Sequence, residues 1–207
     1  YISKPINANL LFEKIYNGIV SQAEANPSKK KVFQWALKVG LEVSDARVQK
    51  RSIPISTLVQ YQLARKLVFD KMVEKLGGRL KFSFSGGAPL SKEIGRFFHA
   101  ANIYILEGYG LTETTAGVYV NSLYDYRFGT VGKAVGDVET KIADDGEILV
   151  RSKKVMTGYY KNEEATKEVL SDDGWFATGD IGELTQDGFL RITDRKKDLI
   201  KTAGGKF

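Results

Sequence analysis

The spacing of apolar residues changes once along this chain, and that change most constrains the fold. Over 9–25, Leu11, Ile15, Ile19 and Ala23 recur at helical spacing. Over 57–76, Leu58, Tyr61, Ala64, Leu67, Val68, Met72 and Leu76 mark a second inward helix face. Asn26-Pro27-Ser28 breaks the first helix and Gly77-Gly78 stops the second. The 41–56 stretch between them is ambiguous, although Ile53-Pro54-Ile55 favours extended chain. From Val118 onward, short apolar runs are divided by Asp145-Gly146, Asp173-Gly174 and Asp187-Gly188, as in a small barrel or sheet. Strands are expected over 138–143, 147–151, 175–176, 181–184 and 189–193, with one helix over 163–170 capped by Asn162. The pattern predicts an α/β chain: part of an α/β/α layered subdomain, followed by a small β-rich, barrel-like one.

The junction between these regimes carries the chemistry. Leu80, Phe82 and Phe84 alternate as in a strand, Gly86-Gly87 breaks the run, and Pro89 fixes its exit. Ser91 is placed to cap a helix carrying Ile94, Phe97 and Phe98, and a second strand follows at Ile103–Leu106. Phe84, Phe97 and Phe98 read as core, the alternative being the wall of an apolar ligand tunnel. Ligands of open α/β sheets gather beyond such strand ends.

The second strand runs into Glu107-Gly108-Tyr109-Gly110-Leu111-Thr112-Glu113-Thr114. Gly108 and Gly110 permit a tight turn and close approach to a ligand. Tyr109 offers a ring face, Thr112 a hydrogen bond, and Glu113 a hard oxygen suited to Mg²⁺. The competing reading is a strand and glycine-rich turn with a surface glutamate. Further on, Thr178-Gly179-Asp180 interrupts an apolar strand with a carboxylate that could read a vicinal diol, or could be an ordinary turn aspartate. Asp194 to Phe207 is densely charged and, in isolation, reads as a solvated linker.

In this order, the motifs resemble those of the AMP-forming acyl-activating enzymes. Gly86-Gly87-Ala88-Pro89-Leu90 is similar to the adenine-side loop, and Tyr109-Gly110-Leu111-Thr112-Glu113 to the core motif. Gly146 to Arg151 with Met156 to Tyr160 is similar to the barrel motif, Thr178-Gly179-Asp180 to the ribose signature, and Arg195 to Gly204 to the interdomain hinge. The wording of Leu76 to Ser91 resembles bacterial long-chain fatty-acid–CoA ligases.

That resemblance implies three parts. Residues 1–120 would be an α/β subdomain fragment bearing the adenine-side loop and core motif. Residues 121–193 would be a β-rich subdomain with the ribose-binding Asp180, and 194–207 a hinge toward a further domain. The implied activity is ATP-dependent activation of a fatty acid through an acyl-adenylate, then transfer to coenzyme A, with ATP/AMP, Mg²⁺ and coenzyme A as cofactors and co-substrates. Gly86, Gly87, Ala88, Gly108 and Gly110 would contact the nucleotide, Tyr109 would stack on adenine, and Thr112 would bond the α-phosphate. Glu113 would hold Mg²⁺, Asp180 and Arg195 the ribose, and Lys197 would mark the pivot. The family's upstream phosphate loop and downstream lysine are not seen, so a fragment is expected, one that binds nucleotide at best.

Composition narrows the alternatives. The absence of cysteine excludes disulfides, thiolate nucleophiles and Cys-based zinc sites. The single histidine, His99, reads as a helix-surface residue. No apolar run approaches the ~20 residues of a membrane span, and a soluble, cytoplasmic protein is the default expectation. Residues 1–89 carry 15 Lys/Arg against 6 Asp/Glu, and 90–193 carry 11 against 17. The basic part, with Lys29-Lys30-Lys31 opening a helix, could meet an anionic membrane surface, as a non-catalytic or a catalytic piece. No nucleic-acid motif accompanies the charge.

Overall fold

The computed structural model describes residues 8–197. Those up to Leu106, together with Leu123–Gly129, form one compact unit; Glu107–Ser122 and those from Thr130 onward form another. The architecture is mixed α/β with an antiparallel β-rich part, as the apolar periodicity predicts.

The first unit is built on helices α1 (Ala8–Glu24) and α2 (Pro27–Val48). Asn26 ends the first and starts the second: its Oδ1 accepts from the Ser28 and Lys29 amides at 2.9 and 3.2 Å, with Pro27 at the first helical position. α2 continues through the ambiguous 41–48 stretch because Ala36, Val39, Val43 and Ala46 form one buried face. Gly40 is tolerated mid-helix because the Phe69 ring occupies the space of a side chain: a Cβ there would lie 2.6 Å from Phe69 Cζ.

The second long helix departs from expectation in its phase. It consists of α3 (Ile55–Ala64), a π-helical turn at Arg65–Phe69, and α4 (Asp70–Lys75). The extra residue in the π turn rotates the inward face, so Thr57, Tyr61 and Ala64 are succeeded by Phe69 and Met72. Leu58 and Leu67, expected inward, are exposed. Gly77 and Gly78 stop the helix as predicted, with the Gly78 amide returning to the Val73 carbonyl at 2.9 Å.

β1 (Phe82–Ser85) and α5 (Lys92–Ala100) flank the glycine loop. The alternation in β1 is real but its burial is reversed: Phe84 is 61% exposed, while Ser85 is buried and donates to Asn9 on α1. Asn9, itself buried, also donates to the Ala88 carbonyl at 2.6 Å, so one amide spans the loop. Ser91 precedes α5 without a side-chain capping bond. Phe97 and Phe98 are core, stacked edge-to-face with each other and with Tyr16 and Phe12 respectively.

His99 is not on the surface. It is 2% exposed, shares a 2.7 Å hydrogen bond between Nδ1 and Ser44 Oγ, and is ringed by Tyr104, Tyr126 and Phe128. Burial lowers its pKa to about 4, aided by Arg47 and opposed by Asp45. The folded state therefore refuses a proton that the unfolded chain accepts near 6.5, so stability is full above that pH and falls as pH drops toward 4. The shift from 6.5 to about 4 corresponds to about 3 kcal/mol. Urea midpoints at pH 7 and 5 should differ less in His99→Gln than in wild type; an equal difference in the two proteins would contradict the assignment.

In the second unit, the end of β2 (Tyr104–Leu111) pairs antiparallel with β3 (Ala116–Val120), and β3 with β4 (Lys133–Ala134). β5 (Glu139–Ile142), β6 (Glu147–Arg151), β7 (Phe176–Leu184) and β8 (Leu190–Arg195) form an antiparallel sheet in that order. α6 (Glu163–Val169) starts at Asn162, whose Oδ1 accepts the Ala165 amide at 3.1 Å. Val118, Tyr119, Ile148, Val150 and Leu190 form this unit's core.

Two expectations about interrupted strands are corrected. β2 does not end at Leu106 but runs through both glycines, and β7 runs through Thr178-Gly179-Asp180. Each strand absorbs its irregularity as a register shift, between Tyr109 and Gly110 in β2 and between Ile181 and Gly182 in β7.

Candidate functional site: a carboxylate held by a tyrosine and an arginine

Three residues far apart in sequence converge in the second unit. Tyr109 O–H on β2 donates to Asp180 Oδ2 at 2.6 Å, and Arg195 Nε pairs with Asp180 Oδ1 at 2.9 Å. Asp180 is 3% exposed and lies opposite Arg195 in the β7–β8 register, which explains the second contact; the Arg195 side chain is 66% exposed. The phenol is pushed far above its ordinary value by burial and by its bond to the Asp180 carboxylate, so it stays a donor at any physiological pH. Each carboxylate oxygen keeps a further lone pair, which suits it to a pair of adjacent hydroxyls.

The Asp180 carboxylate is fixed from behind. Gly179 adopts φ +71°, and its amide donates to Glu147 Oε1 at 2.9 Å. Thr178 Oγ1 donates to the Ile148 carbonyl at 2.8 Å and accepts the Asp180 amide at 3.2 Å. Glu147 and Thr178 are both buried. Nothing in the sequence marks Glu147, which precedes the core residue Ile148 at the start of β6, as a support of this carboxylate.

Gly108 and Gly110 lie in a strand rather than a turn, and the backbone they admit is that of β3. A Cβ on Gly108 would sit 3.3 Å from the Tyr119 carbonyl oxygen, and one on Gly110 1.8 Å from that of Ala116. Thr112 and Glu113 follow in a 3₁₀ turn, Thr112–Thr114. Thr114, buried and unremarked in the motif, accepts the Leu111 amide at 2.9 Å and lies 3.0 Å from the Ala116 carbonyl, which closes the turn. Thr115 and Ala116 then take positive φ, 49° and 72°.

This turn is clamped to the segment that follows β6. The Met156 amide donates to the Glu113 carbonyl at 2.7 Å, Thr115 Oγ1 to the Lys154 carbonyl at 2.8 Å, and Tyr159 O–H to Glu113 Oε1 at 2.9 Å. The core motif and Met156–Tyr160 are thus physically joined. Thr112 is exposed and Glu113 half-buried. No cluster of three metal-ligating side chains exists among the described residues. A single oriented carboxylate nevertheless fits a nucleotide-borne Mg²⁺, which takes one or two protein carboxylates and fills its shell with phosphate and water. A cleft of about 430 Å³ opens beside Tyr159, lined by Thr157, Tyr160, Glu163 and Lys167 among others; neither Tyr109 nor Asp180 lines it.

Gly86, Gly87 and Ala88 belong to the first unit, with Gly87 at φ +79°. Lys197 is exposed just past β8, and the hinge match from Asp198 to Gly204 lies outside the described residues.

The chain is 43% identical over 196 residues to the long-chain-fatty-acid–CoA ligase FadD15 of Mycobacterium bovis, covering 95% of this chain and 32% of that protein. It is 34% identical to long-chain-fatty-acid–CoA ligase 1 of Saccharomyces cerevisiae, covering 95% and 28%. The chain spans about a third of the length of the curated relatives it matches. Among solved structures, O-succinylbenzoate coenzyme A synthetase of Bacillus subtilis, in complex with ATP and magnesium ion, superposes with TM-score 0.54 at 28% identity over 65% of this chain and 32% of that one. Residues 15–160 match the AMP-binding enzyme family. That match covers more than half of the sequence, and the chain belongs to the AMP-binding enzyme family.

Proposed function

We propose that the chain is the nucleotide-holding part of a ligase that joins a long-chain fatty acid to coenzyme A through an acyl-adenylate. The observation that carries this reading is the Tyr109–Asp180–Arg195 convergence, since a buried carboxylate with fixed oxygens is the group a ribose diol requires. Its similarity to long-chain-fatty-acid–CoA ligases supports the acyl class.

In the first half-reaction a fatty-acid carboxylate oxygen forms a bond to the α-phosphorus of ATP, and the bond to the bridging oxygen breaks to release pyrophosphate. In the second, the coenzyme A thiol, losing its proton, attacks the acyl carbonyl and AMP departs. Asp180 and Arg195 hold the ribose, Tyr109 orients Asp180 and lends its ring to adenine, and Thr112 bonds the α-phosphate. Glu113, oriented by Tyr159, takes Mg²⁺, which offsets phosphate charge when bound. Gly86, Gly87, Ala88, Gly108 and Gly110 take the nucleotide-side roles, and Lys197 the pivot, by motif match. The work of these residues is positioning and electrostatic stabilisation.

The longer protein that carries these residues should release pyrophosphate from Mg·ATP only when a long-chain fatty acid is present. Release that is independent of fatty acid, or driven equally by benzoate, would defeat the reading.

A cytoplasmic location with peripheral membrane contact is the accompanying proposal. No described helix is long and apolar enough to cross a membrane. Leu10 and Leu11 on α1 and Val32 on α2 are exposed on the helices that carry the basic residues Lys14, Lys29 and Lys31. Co-sedimentation with phosphatidylglycerol vesicles, undiminished by Lys29→Glu with Lys31→Glu, would refute contact through this face.

A further inference from the structure

The dense charge after Arg195 reads in sequence as a solvated linker, yet Lys196 is not a free surface lysine. Its Nζ lies 2.7 Å from Asp145 Oδ2 and 2.6 Å from Glu147 Oε2. Glu147 then uses its other oxygen, Oε1, to accept the Gly179 amide. A continuous path therefore runs from the residue after Arg195, through a buried glutamate on β6, to the glycine beside Asp180.

We propose that Lys196 is a positioning residue for nucleotide binding: through Glu147 it fixes the Gly179 backbone and thereby the Asp180 carboxylate. The proposal rests on the reading of Asp180 as the ribose ligand.

The physical case is one of charge and conformation. Gly179 stands at φ +71°, a region that glycine leaves as readily as it enters, so its conformation is selected by what its amide meets. The partner is a carboxylate at the start of β6, 8% exposed, flanked two residues away by Asp145. Two carboxylates this close repel, and a buried one is costly without a cation. Lys196 supplies the cation to both. The bridge holds the lysine's proton more tightly than usual and makes the Asp145 carboxyl more acidic. Without the ammonium, Glu147 gains by turning toward water, and the Gly179 amide loses its acceptor. Arg195, adjacent in sequence, holds Asp180 directly. Successive residues at the end of β8 thus grip the Thr178–Asp180 segment from two sides, one on the carboxylate and one on the backbone.

The test uses Lys196→Met and Lys196→Arg in the protein, with two readouts. The first is amide exchange at Gly179 by NMR without nucleotide. The second is the ratio of affinities for AMP and 2′,3′-dideoxy-AMP, which reads the Asp180 carboxylate against the diol. Lys196→Met should speed Gly179 exchange by about tenfold and narrow the diol preference by about five- to tenfold, as expected for losing one charge-assisted hydrogen bond. Lys196→Arg, which can still bridge two carboxylates, should restore both. If wild type prefers the diol and Lys196→Met prefers it equally, or if Gly179 exchange does not change, the proposal is overturned. A wild type that binds both nucleotides equally instead overturns the ribose assignment of Asp180, and this proposal with it.

Discussion

Asp180→Ala is expected to weaken AMP binding by about 10²- to 10³-fold, because two hydrogen bonds from the ribose to an ionised, buried carboxylate are lost together. The deletion also strands the Tyr109 hydroxyl, which now donates to Asp180 at 2.6 Å in a half-buried setting. An unpaired hydroxyl there costs about 1–3 kcal/mol of stability, so affinity must be measured where each variant is fully folded. Two milder changes separate the contributions. Asp180→Asn keeps an acceptor for Tyr109 but removes the charge that attracts Arg195 and the diol, and should cost about tenfold. Tyr109→Phe leaves the carboxylate and Arg195 in place and should cost less again if the tyrosine chiefly orients Asp180. Calorimetric titration with AMP checks the order Asp180→Ala, Asp180→Asn, Tyr109→Phe, wild type. Wild-type affinity in Asp180→Ala would remove the ribose role altogether.

What could be read from the residues, and what could not, divides along physical lines. Helix ends are legible where they are local: Asn26-Pro27-Ser28 breaks α1, Gly77-Gly78 terminates α4 with its own backbone, and Asn162 caps α6. Asn26 also caps α2, which the break alone does not announce, and Ser91 makes no capping bond. The inward face of the second helix is legible at Tyr61, Ala64 and Met72, but not at Leu58 or across the π turn at Leu67. A single extra residue there moves the buried set from Leu67 to Phe69, and nothing in a 3.6-residue period announces it. The burial of His99 escapes the local sequence for a related reason. Its partners Ser44, Tyr104 and Tyr126 come from other parts of the chain, so the aromatic cage has no local signature.

The candidate site shows the same division. Asp180 stood out as a carboxylate in an apolar strand, and motif order linked it to Tyr109, 71 residues away. Its supports did not stand out. Glu147 and Lys196 are ordinary charged residues until β6, β7 and β8 pair in register, at which point a lysine in a charged run becomes the counter-ion of a buried glutamate. Thr114 was likewise hidden, because its hydroxyl serves the turn that presents Thr112 and Glu113 rather than any ligand.

Gly110→Ala should be among the most damaging single substitutions in the second unit. The added methyl would lie 1.8 Å from the Ala116 carbonyl oxygen and 2.6 Å from its carbon, both backbone atoms of the paired strand, so no side chain can swing aside. Relief requires separating β2 from β3 at the register shift, which carries Tyr109 on one side and the Thr112–Thr114 turn on the other. A cost of about 4 kcal/mol or more is expected, at the extreme of single-residue effects. The control is the glycine directly across the ladder: Gly117 pairs with Gly110, and a Cβ built on it meets nothing within 4 Å. Gly117→Ala should therefore be neutral, or stabilising by about 0.4–1 kcal/mol through the unfolded chain. Thermal unfolding of the two variants side by side decides the matter. If they unfold together, the β2–β3 pairing is not as close as described. If only Gly110→Ala collapses, the first requirement on that glycine is the approach of its neighbouring strand, and any contact it makes with nucleotide is built on a space the fold had already reserved.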